Sequence, residues 1–185
     1  MEKIKFIKRL RLIIEGSSIR TVERITELHR DTICRLLVLA GENCEKILGR
    51  LIVNIPVKNV ECDEIWGFVG KKEKAVRYGD DPNFGDAYCF VALERSTKLV
   101  LNFALGKRNQ RTTDAFIEGL RHATASQNFQ ITTDGFAPYR SAIVNTLEDR
   151  VDFAQLIKVY RASVESEGRY SPAEVVDTEG SPSPR

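Results

Sequence analysis

The sequence lacks several features that mark whole classes of protein. It has four cysteines but no CxxC pair, and no His stands at ligand spacing from any of them, so we expect no zinc site. No apolar run approaches the roughly 20 residues that cross a membrane. The basic start of the chain is not followed by the apolar core of a signal sequence. These absences predict a cytoplasmic protein with reduced, buried thiols and no membrane partner.

The sequence also has little net charge, with 28 Lys and Arg against 26 Asp and Glu. Hydrophobic residues make up 42 % and charged residues 29 %, which excludes collagen-like, coiled-coil-only and wholly disordered chains. The charge is unevenly spread, because residues 1–58 carry a net +5 and the remainder a net −3. We therefore expect only the first third of the chain to meet an anionic partner.

Short amphipathic helices are predicted for this first third. Apolar residues recur at helical spacing in four stretches, residues 3–15, 19–26, 30–40 and 42–53. Gly16 is a natural end for the first helix, and Ser18 can cap the second. Gly41 interrupts the helical pattern between the third and the fourth. The whole region, residues 1–56, is predicted to be a helix-turn-helix bundle.

The second and third helices flank a three-residue turn at residues 27–29, which is the pattern of a helix-turn-helix whose second helix lies in the major groove. The inward-facing residues would be Ile19, Val22, Ile25, Leu28, Ile33 and Leu36. The predicted DNA contacts are Arg20, Arg24, Arg30, Thr32 and Arg35. A small helical bundle with a solvated basic face explains the segment equally well. The turn also has Glu27 where glycine is usual.

The body of the chain, residues 57–160, is predicted to be α/β. Strand patterns occur in VKNVECDEIWGFV, AYCFVALE, KLVLNFAL, FQITTD and VDFAQLIKVY, and helices in TTDAFIEGLRHAT and FAPYRSAIVNTL. The resulting order, β-β-β-α-β-α-β, is that of the mixed sheet of a ribonuclease-H-like fold. The end of the chain, residues 161–185, is rich in Ser and Pro and is predicted to be a disordered tail.

Two aspartates in the body need an explanation. Asp63 lies mid-strand among apolar neighbours, where an unpartnered charge is costly. Asp134 ends the fourth strand, which neighbours the first in a ribonuclease-H-like sheet, so the two carboxylates would repel each other without a cation between them. Mg²⁺ suits such oxygen ligands, and two such ions can activate a nucleophile for phosphodiester chemistry.

Each of these residues also has a structural explanation. Asp134 alone is most simply the cap of the following helix. Glu64 could be the working acid instead of Asp63, because neighbouring side chains on a strand point to opposite faces. Three aromatic residues are expected in the core: Trp66, Phe90 and Phe103. A basic cluster is expected to be a solvated loop unless it contacts nucleic-acid phosphate: Lys71, Lys72, Lys74 and Arg77.

Several segments together resemble the transposases of the insertion-sequence-one family: SIRTVERIT, TICRLL, CDEIW, GDAYCFVALERSTKLV, TTDGFAPY, VDFAQLIKVY and RYSPAE. They occur in family order, roughly from Ser17 to Glu174. The resemblance implies a helix-turn-helix that binds double-stranded element ends, a DDE domain of ribonuclease-H-like fold, Mg²⁺ or Mn²⁺, and DNA cleavage followed by strand transfer. It places the family's first two catalytic, metal-binding acids on Asp63 and Asp134. A homo-oligomer is also expected.

The sequence departs from the family at both ends. Members usually carry a cysteine-rich zinc element ahead of the helix-turn-helix, and none is present here. The family's third acid is a Glu on a helix beyond RYSPAE, whereas the Glu residues near that place lack such a helical context: Glu165, Glu167, Glu174 and Glu179. The resemblance therefore implies a copy truncated at both ends, with an incomplete catalytic site.

Two other functions remain open at this point. The first is a non-enzymatic DNA-binding remnant of an element, which would compete with full-length transposase for element ends. The second is an unrelated regulator with a helix-turn-helix and a ligand-binding α/β domain. An apolar pocket with Asp63 far from Asp134 would favour the regulator, whereas an open acidic pair on adjacent strands would favour the transposase or its remnant.

Overall fold

A computed structural model of the chain describes residues 2–161 and 174–182. The chain divides into two units, Met1–Leu51 and Ile52–Arg185. None of the described helices is long and apolar enough to cross a membrane.

The first unit consists of α1 (Glu2–Ile14), α2 (Ile19–Thr26) and α3 (Arg30–Leu51). Ser18 caps α2, since its hydroxyl oxygen accepts a hydrogen bond of 3.2 Å from the Thr21 N–H. Glu27 takes the left-handed conformation that glycine usually supplies, with φ of 54°, and its N–H donates to the Glu23 carbonyl. The turn between α2 and α3 is therefore built without glycine.

Three expectations for this unit are wrong. α3 runs without a break through Gly41, because one glycine in a helix costs only about 1 kcal/mol and the surrounding helix formers sustain the turn. Ile25 is exposed, whereas Val22 and Ile33 are buried, because α2 packs through the side that carries Val22. Cys34 lies beside Ile33 on the exposed side of α3, and its thiol is not buried as expected.

The second unit is built on one six-stranded mixed sheet in the order β3-β2-β1-β4-β5-β6. The strands are β1 (Asn59–Val69), β2 (Gly85–Glu94), β3 (Val100–Gly106), β4 (Phe129–Thr133), β5 (Val151–Arg161) and β6 (Glu174–Pro182). β1 pairs antiparallel with β2 and parallel with β4. The predicted order β-β-β-α-β-α-β and the ribonuclease-H-like neighbourhood of the first and fourth strands are confirmed.

Two helices, α4 (Gln110–Ala123) and α5 (Pro138–Leu147), pack on one face of this sheet. Asn109 caps α4 by accepting a 3.0 Å hydrogen bond from the Thr112 N–H. The core includes Val60, Cys62, Phe90, Ala92, Phe116, Ile117, Leu120, Ile131, Tyr139, Ile143 and Phe153. Three of its rings, those of Phe90, Phe116 and Tyr139, have centroids 5.6 to 6.4 Å apart. We call this the covered face of the sheet.

The opposite face, which we call the open face, carries no described helix. Its side chains include Glu61, Asp63, Ile65, Val91, Leu93, Phe103, Leu105 and Leu156. Phe103 is partly exposed there, in contrast to the prediction that it lies in the core, because the alternation of β3 turns it away from α4.

β6 differs from the tail predicted over residues 161–185. Glu174–Pro182 pairs antiparallel with β5. The outer edge of β5 offers unpaired backbone N–H and C=O groups, which a further strand can satisfy even when it is rich in Gly, Ser and Pro. Glu174 and Glu179 thus lie on a strand, whereas Glu165 and Glu167 lie outside the described residues.

Candidate functional site

Asp63 and Asp134 border a single groove. β1 and β4 are parallel neighbours with Glu61 opposite Thr132, Asp63 lies two residues further along β1, and Asp134 directly follows the end of β4 at Thr133. Both aspartates line a groove of about 840 Å³ whose apolar wall includes Ile65 and Leu156. Asp63 thus lies on β1, and Asp134 lies directly after β4, the parallel neighbour of β1.

Glu64 lies on the covered face, one residue from Asp63 and in a different environment. Its side chain is only 4 % exposed. Its Oε2 accepts a 2.9 Å hydrogen bond from Nε of Arg108, and Nη2 of the same Arg108 donates a 2.7 Å hydrogen bond to Oδ2 of Asp134. Arg108 thus links Glu64 to Asp134. Glu64, the alternative to Asp63 as the acid that faces Asp134, is thus connected to Asp134 through Arg108 rather than directly.

Arg108 is held from three sides. It follows β3 and precedes the Asn109 cap of α4, and its guanidinium carbon lies 3.9 Å from the centre of the Phe136 ring. Burial alone would lower the pKa of Arg108, but the hydrogen bond to Glu64 and the charges of Glu64 and Asp134 outweigh burial and raise it. A charged guanidinium at this place neutralises much of the local negative charge.

The second oxygen of Asp134 is also engaged. Its Oδ1 accepts a 2.9 Å hydrogen bond from the Phe136 N–H, two residues before α5 begins at Pro138. The backbone carbonyl of Asp134 accepts from the side-chain amide of Gln155 on β5 at 3.1 Å. Asp134 therefore stabilises the turn into α5, which is close to the capping role considered from the sequence.

Two buried polar atoms next to this cluster make no hydrogen bond of normal geometry, Oε1 of Glu64 and the hydroxyl of Tyr139. Burial and the Glu64 carboxylate raise the pKa of Tyr139, so its hydroxyl stays protonated. Burial, Glu64 and Asp63 together raise the pKa of the Cys62 thiol in the same way. The Cys62 thiol and the Tyr139 hydroxyl, both on the covered side of the site, therefore stay protonated.

Asp63 is the most exposed of the three acids Asp63, Glu64 and Asp134. Its side chain is exposed, and its Oδ1 accepts a 2.8 Å hydrogen bond from the backbone N–H of Glu64. Among the residues that the structure describes, no group of three or more His, Cys, Asp or Glu side chains is arranged to hold a metal ion. Both carboxylate oxygens of Asp134 are engaged, one by Arg108 and the other by the Phe136 N–H, so the arrangement does not fit Mg²⁺ or Mn²⁺ held between Asp63 and Asp134.

The residues predicted to contact DNA lie in the first unit. Four arginines are exposed, Arg20, Arg24, Arg30 and Arg35, and Thr32 is half-buried. The backbone N–H of Arg30 donates a 2.9 Å hydrogen bond to Oε1 of Glu23, which fixes the start of α3 against α2. The side chain of Arg30 lies 3.9 Å from Asp31 in a weak exposed ion pair.

The importance of Arg108 could not be seen in the sequence. Its two partners are 44 and 26 residues away along the chain, and its own segment, GKRNQ, has no motif. The local sequence shows only that Arg108 directly precedes Asn109, the residue that caps α4, and this does not connect it with Asp63 or Asp134.

No protein-family model matches the chain, and no curated protein matches it. Among solved structures, the chain is similar to the piggyBac transposase in a synaptic complex with hairpin DNA, with 12 % identity over 90 % of this chain and 44 % of that one, and a TM-score of 0.48. It is also similar to the Mos1 transposase in a paired-end complex with the left transposon end, with 14 % identity over 79 % of this chain and 57 % of that one, and a TM-score of 0.34. A Mos1 mariner paired-end complex with Mn has 16 % identity, the same coverage of both chains and a TM-score of 0.32. The chain thus spans about half the length of these transposases, and none of these three structures is named as a member of the insertion-sequence-one family.

Proposed function

We propose that the chain is a DNA-binding protein of the transposase type, with a ribonuclease-H-like body and an incomplete acidic site. The observation that carries this proposal is the placement of Asp63 and Asp134 around one open groove, on and directly after two neighbouring parallel strands. An unrelated ligand-binding regulator would not need two acids facing solvent there. The resemblance to the insertion-sequence-one family supports the same function.

DNA binding is assigned in this proposal to the first unit. Its exposed arginines lie on the capped short helix α2 and, after a tight turn, on α3, and residues 1–58 hold the excess of positive charge. We propose Arg30 and Arg35 as groove contacts, and Arg20 and Arg24 as phosphate contacts, on double-stranded element ends. Thr32 completes the set, and a homo-oligomer on DNA belongs to the same proposal.

A specific observation favours the non-enzymatic alternative, a remnant that binds element ends and competes with full-length transposase. Arg108 neutralises the pair formed by Glu64 and Asp134, and a guanidinium repels the divalent cation that phosphodiester cleavage would require. Among the described residues, no third acid joins Asp63 and Asp134 in a group that could hold a metal ion. In this form the chain would bind DNA and leave it uncut.

DNA binding is tested by selecting duplexes from a randomised pool with the full chain and measuring mobility shifts on the selected sequence. The pair Arg30→Ala and Arg35→Ala should remove the preference for that sequence over random DNA, and affinity should fall steeply with salt. Arg121→Ala is the matched control, because Arg121 is an exposed arginine of the second unit paired with Glu118 at 2.7 Å. Equal loss in the control would contradict the assignment to the first unit.

Cleavage is tested on the same selected duplex with Mg²⁺ or Mn²⁺. The non-enzymatic alternative predicts binding without nicking. Metal-dependent nicking that disappears in Asp134→Ala would instead show that the site is complete and that the family reaction is retained.

A further inference from the structure

The far end of β1 carries an exposed aromatic pair. Trp66 and Phe68 are 46 % and 49 % exposed, and their ring centroids are 5.9 Å apart. Trp66 was expected in the core because it follows the apolar pattern of the strand. It lies on the same face as Cys62 and Glu64 by alternation, yet it is nearly half exposed whereas Cys62 is buried.

This pair begins next to the acidic site. A strand rises about 3.4 Å per residue, so Trp66 and Phe68 follow Glu64 on the same face at about 7 and 14 Å. Glu64 is the residue that Arg108 ties to Asp134. A chain lying along these rings would therefore lead toward Glu64 and Arg108, which connects to Asp134.

One cation lies over the Trp66 ring, and others lie on the loop that follows β1. Nζ of Lys72 lies 5.2 Å from the centre of the Trp66 ring. Lys74, Arg77 and Tyr78 are exposed on the same loop between β1 and β2. Within the part of the chain that the structure describes, no ion pair is found for the side chains of Lys72, Lys74 or Arg77. We call Trp66, Phe68, Lys72, Lys74, Arg77 and Tyr78 the aromatic–cation surface.

Two other cations hold this loop in place. Lys71 pairs with Asp80 at 2.8 Å, and Lys107 pairs with Glu73 at 3.0 Å. The Glu73 carboxylate also accepts a 2.9 Å hydrogen bond from the Asp86 N–H. The loop is therefore fixed by paired charges, whereas its remaining cations stay available to a partner.

The loop is fixed by its glycines as well. Gly70 and Gly85 have φ of +67° and +107°, which other residues rarely adopt. The Phe84 ring lies against Gly70 so closely that a side chain there would collide with it. A surface fixed in this way loses little conformational freedom when a ligand binds.

We propose that the aromatic–cation surface binds single-stranded nucleic acid, with bases stacked on Trp66 and Phe68 and phosphates beside Lys72, Lys74 and Arg77. Stacking needs a free base face, which a duplex does not offer within its length. Two exposed aromatic rings, with Lys72 over one of them and Lys74 and Arg77 exposed on the same loop, favour a polyanion with planar groups over an apolar protein. This inference rests on the proposed function in one respect, because it specifies that the DNA near the acidic site is single-stranded.

Trp66 is the only tryptophan of the chain, so its fluorescence reports on this surface alone. Titration of the full chain with a thymidine oligonucleotide of about 16 nucleotides should quench and shift the Trp66 emission. A duplex hairpin with the same number of phosphates, and heparin, which has charge but no bases, should leave the emission largely unchanged. Equal quenching by heparin, or an unchanged emission with the oligonucleotide, would overturn the proposal.

Variants separate stacking from charge in an anisotropy assay with labelled oligonucleotide. Trp66→Ala should weaken binding roughly five- to a hundredfold, the range for loss of one base–aromatic stack. Trp66→Phe should bind within about threefold of the parent, because it keeps a ring. Since Trp66 is exposed, both variants should melt near the parent temperature. Oligonucleotide affinity in Trp66→Ala equal to that of the parent would contradict the stacking.

The double change Arg30→Ala with Arg35→Ala separates this inference from the proposed function. It should abolish selective duplex binding and leave the Trp66 quenching by oligonucleotide intact. If the parent protein shows no duplex selectivity at all, the proposed function is contradicted, whereas the inference about the aromatic–cation surface is not. Loss of Trp66 quenching in the double variant would show that the oligonucleotide binds the first unit, and the inference would fall.

Discussion

Neighbouring residues of β1 meet opposite environments on the two faces of the sheet. Glu64 points under α4 and α5, where it is almost fully buried and paired with Arg108. Asp63 points to the open face, where it is exposed and contacts only a backbone N–H. One step along a strand thus separates an acid that belongs to the core from an acid that is available to a ligand. The number of carboxylates near a groove is therefore a poor guide to its net charge.

The largest expected effect comes from the core of the covered face. Phe90→Ala should destabilise the second unit by about 3–5 kcal/mol, because Phe90 is fully buried between Phe116 and Tyr139. Phe103→Ala on the open face should cost only about 1–2 kcal/mol, because that ring is already partly in water. Urea unfolding followed by circular dichroism gives both values, and equal losses would show that the open face is covered in solution.

Removing the cation that pairs with the buried Glu64 carboxylate should have the next largest effect. Arg108→Ala should destabilise by about 2–4 kcal/mol, because it leaves the carboxylate of Glu64 buried without a partner. The matched control is Arg95→Ala, which removes the exposed pair with Glu61 at 3.4 Å and should cost about 0.5 kcal/mol or less. The double variant Arg108→Met with Glu64→Leu should recover much of the loss. No recovery would mean that Arg108 acts mainly through Asp134 and Phe136.

A smaller, pH-dependent effect is expected at the turn between β2 and β3. Hydrogen bonds from the Thr97 N–H and hydroxyl, at 2.6 and 2.8 Å, lower the pKa of Glu94. Stability from a lowered pKa is fully present above about pH 4.3, the ordinary value for Glu, and is lost as the pH falls through the folded pKa. Glu94→Gln should therefore flatten the acid side of the stability curve. An unchanged slope between about pH 5 and 2 would exclude this role.

The smallest effect is expected from the free acid. Asp63→Asn should change stability by about 0.5 kcal/mol or less, because Asp63 is exposed and its one hydrogen bond survives the change. Glu64→Gln, its neighbour, should cost about 1–3 kcal/mol through the lost charge-assisted bond to Arg108. If the two variants lose equal stability in urea, the assignment of the two acids to different faces is wrong.

The order of the strands was predictable because each carries its own apolar alternation between clear turns. The alternation also predicts that Asp63 and Glu64 point to opposite faces, but not which of those faces the helices cover. Helix packing decides that, and it is a tertiary property. Trp66 shows the same limit, since its pattern is that of a core residue although its side chain is half in water.

The contacts that set the charge of the site were not predictable. Arg108 meets Glu64 and Asp134 across 44 and 26 residues of chain, and such long-range pairs leave no local pattern. β6 was missed for a related reason. Its sequence has weak strand propensity, and its strand conformation comes with backbone pairing to the edge of β5.

The short connection between β3 and α4 has a mechanical consequence. Its consecutive residues Lys107 and Arg108 reach in different directions, Lys107 to Glu73 in the β1–β2 loop and Arg108 to the acids on and after the central strands. A displacement of this connection would strain both ion pairs at once. The position of the β1–β2 loop and that of the acids on and after the central strands are therefore both fixed by one short connection of the chain.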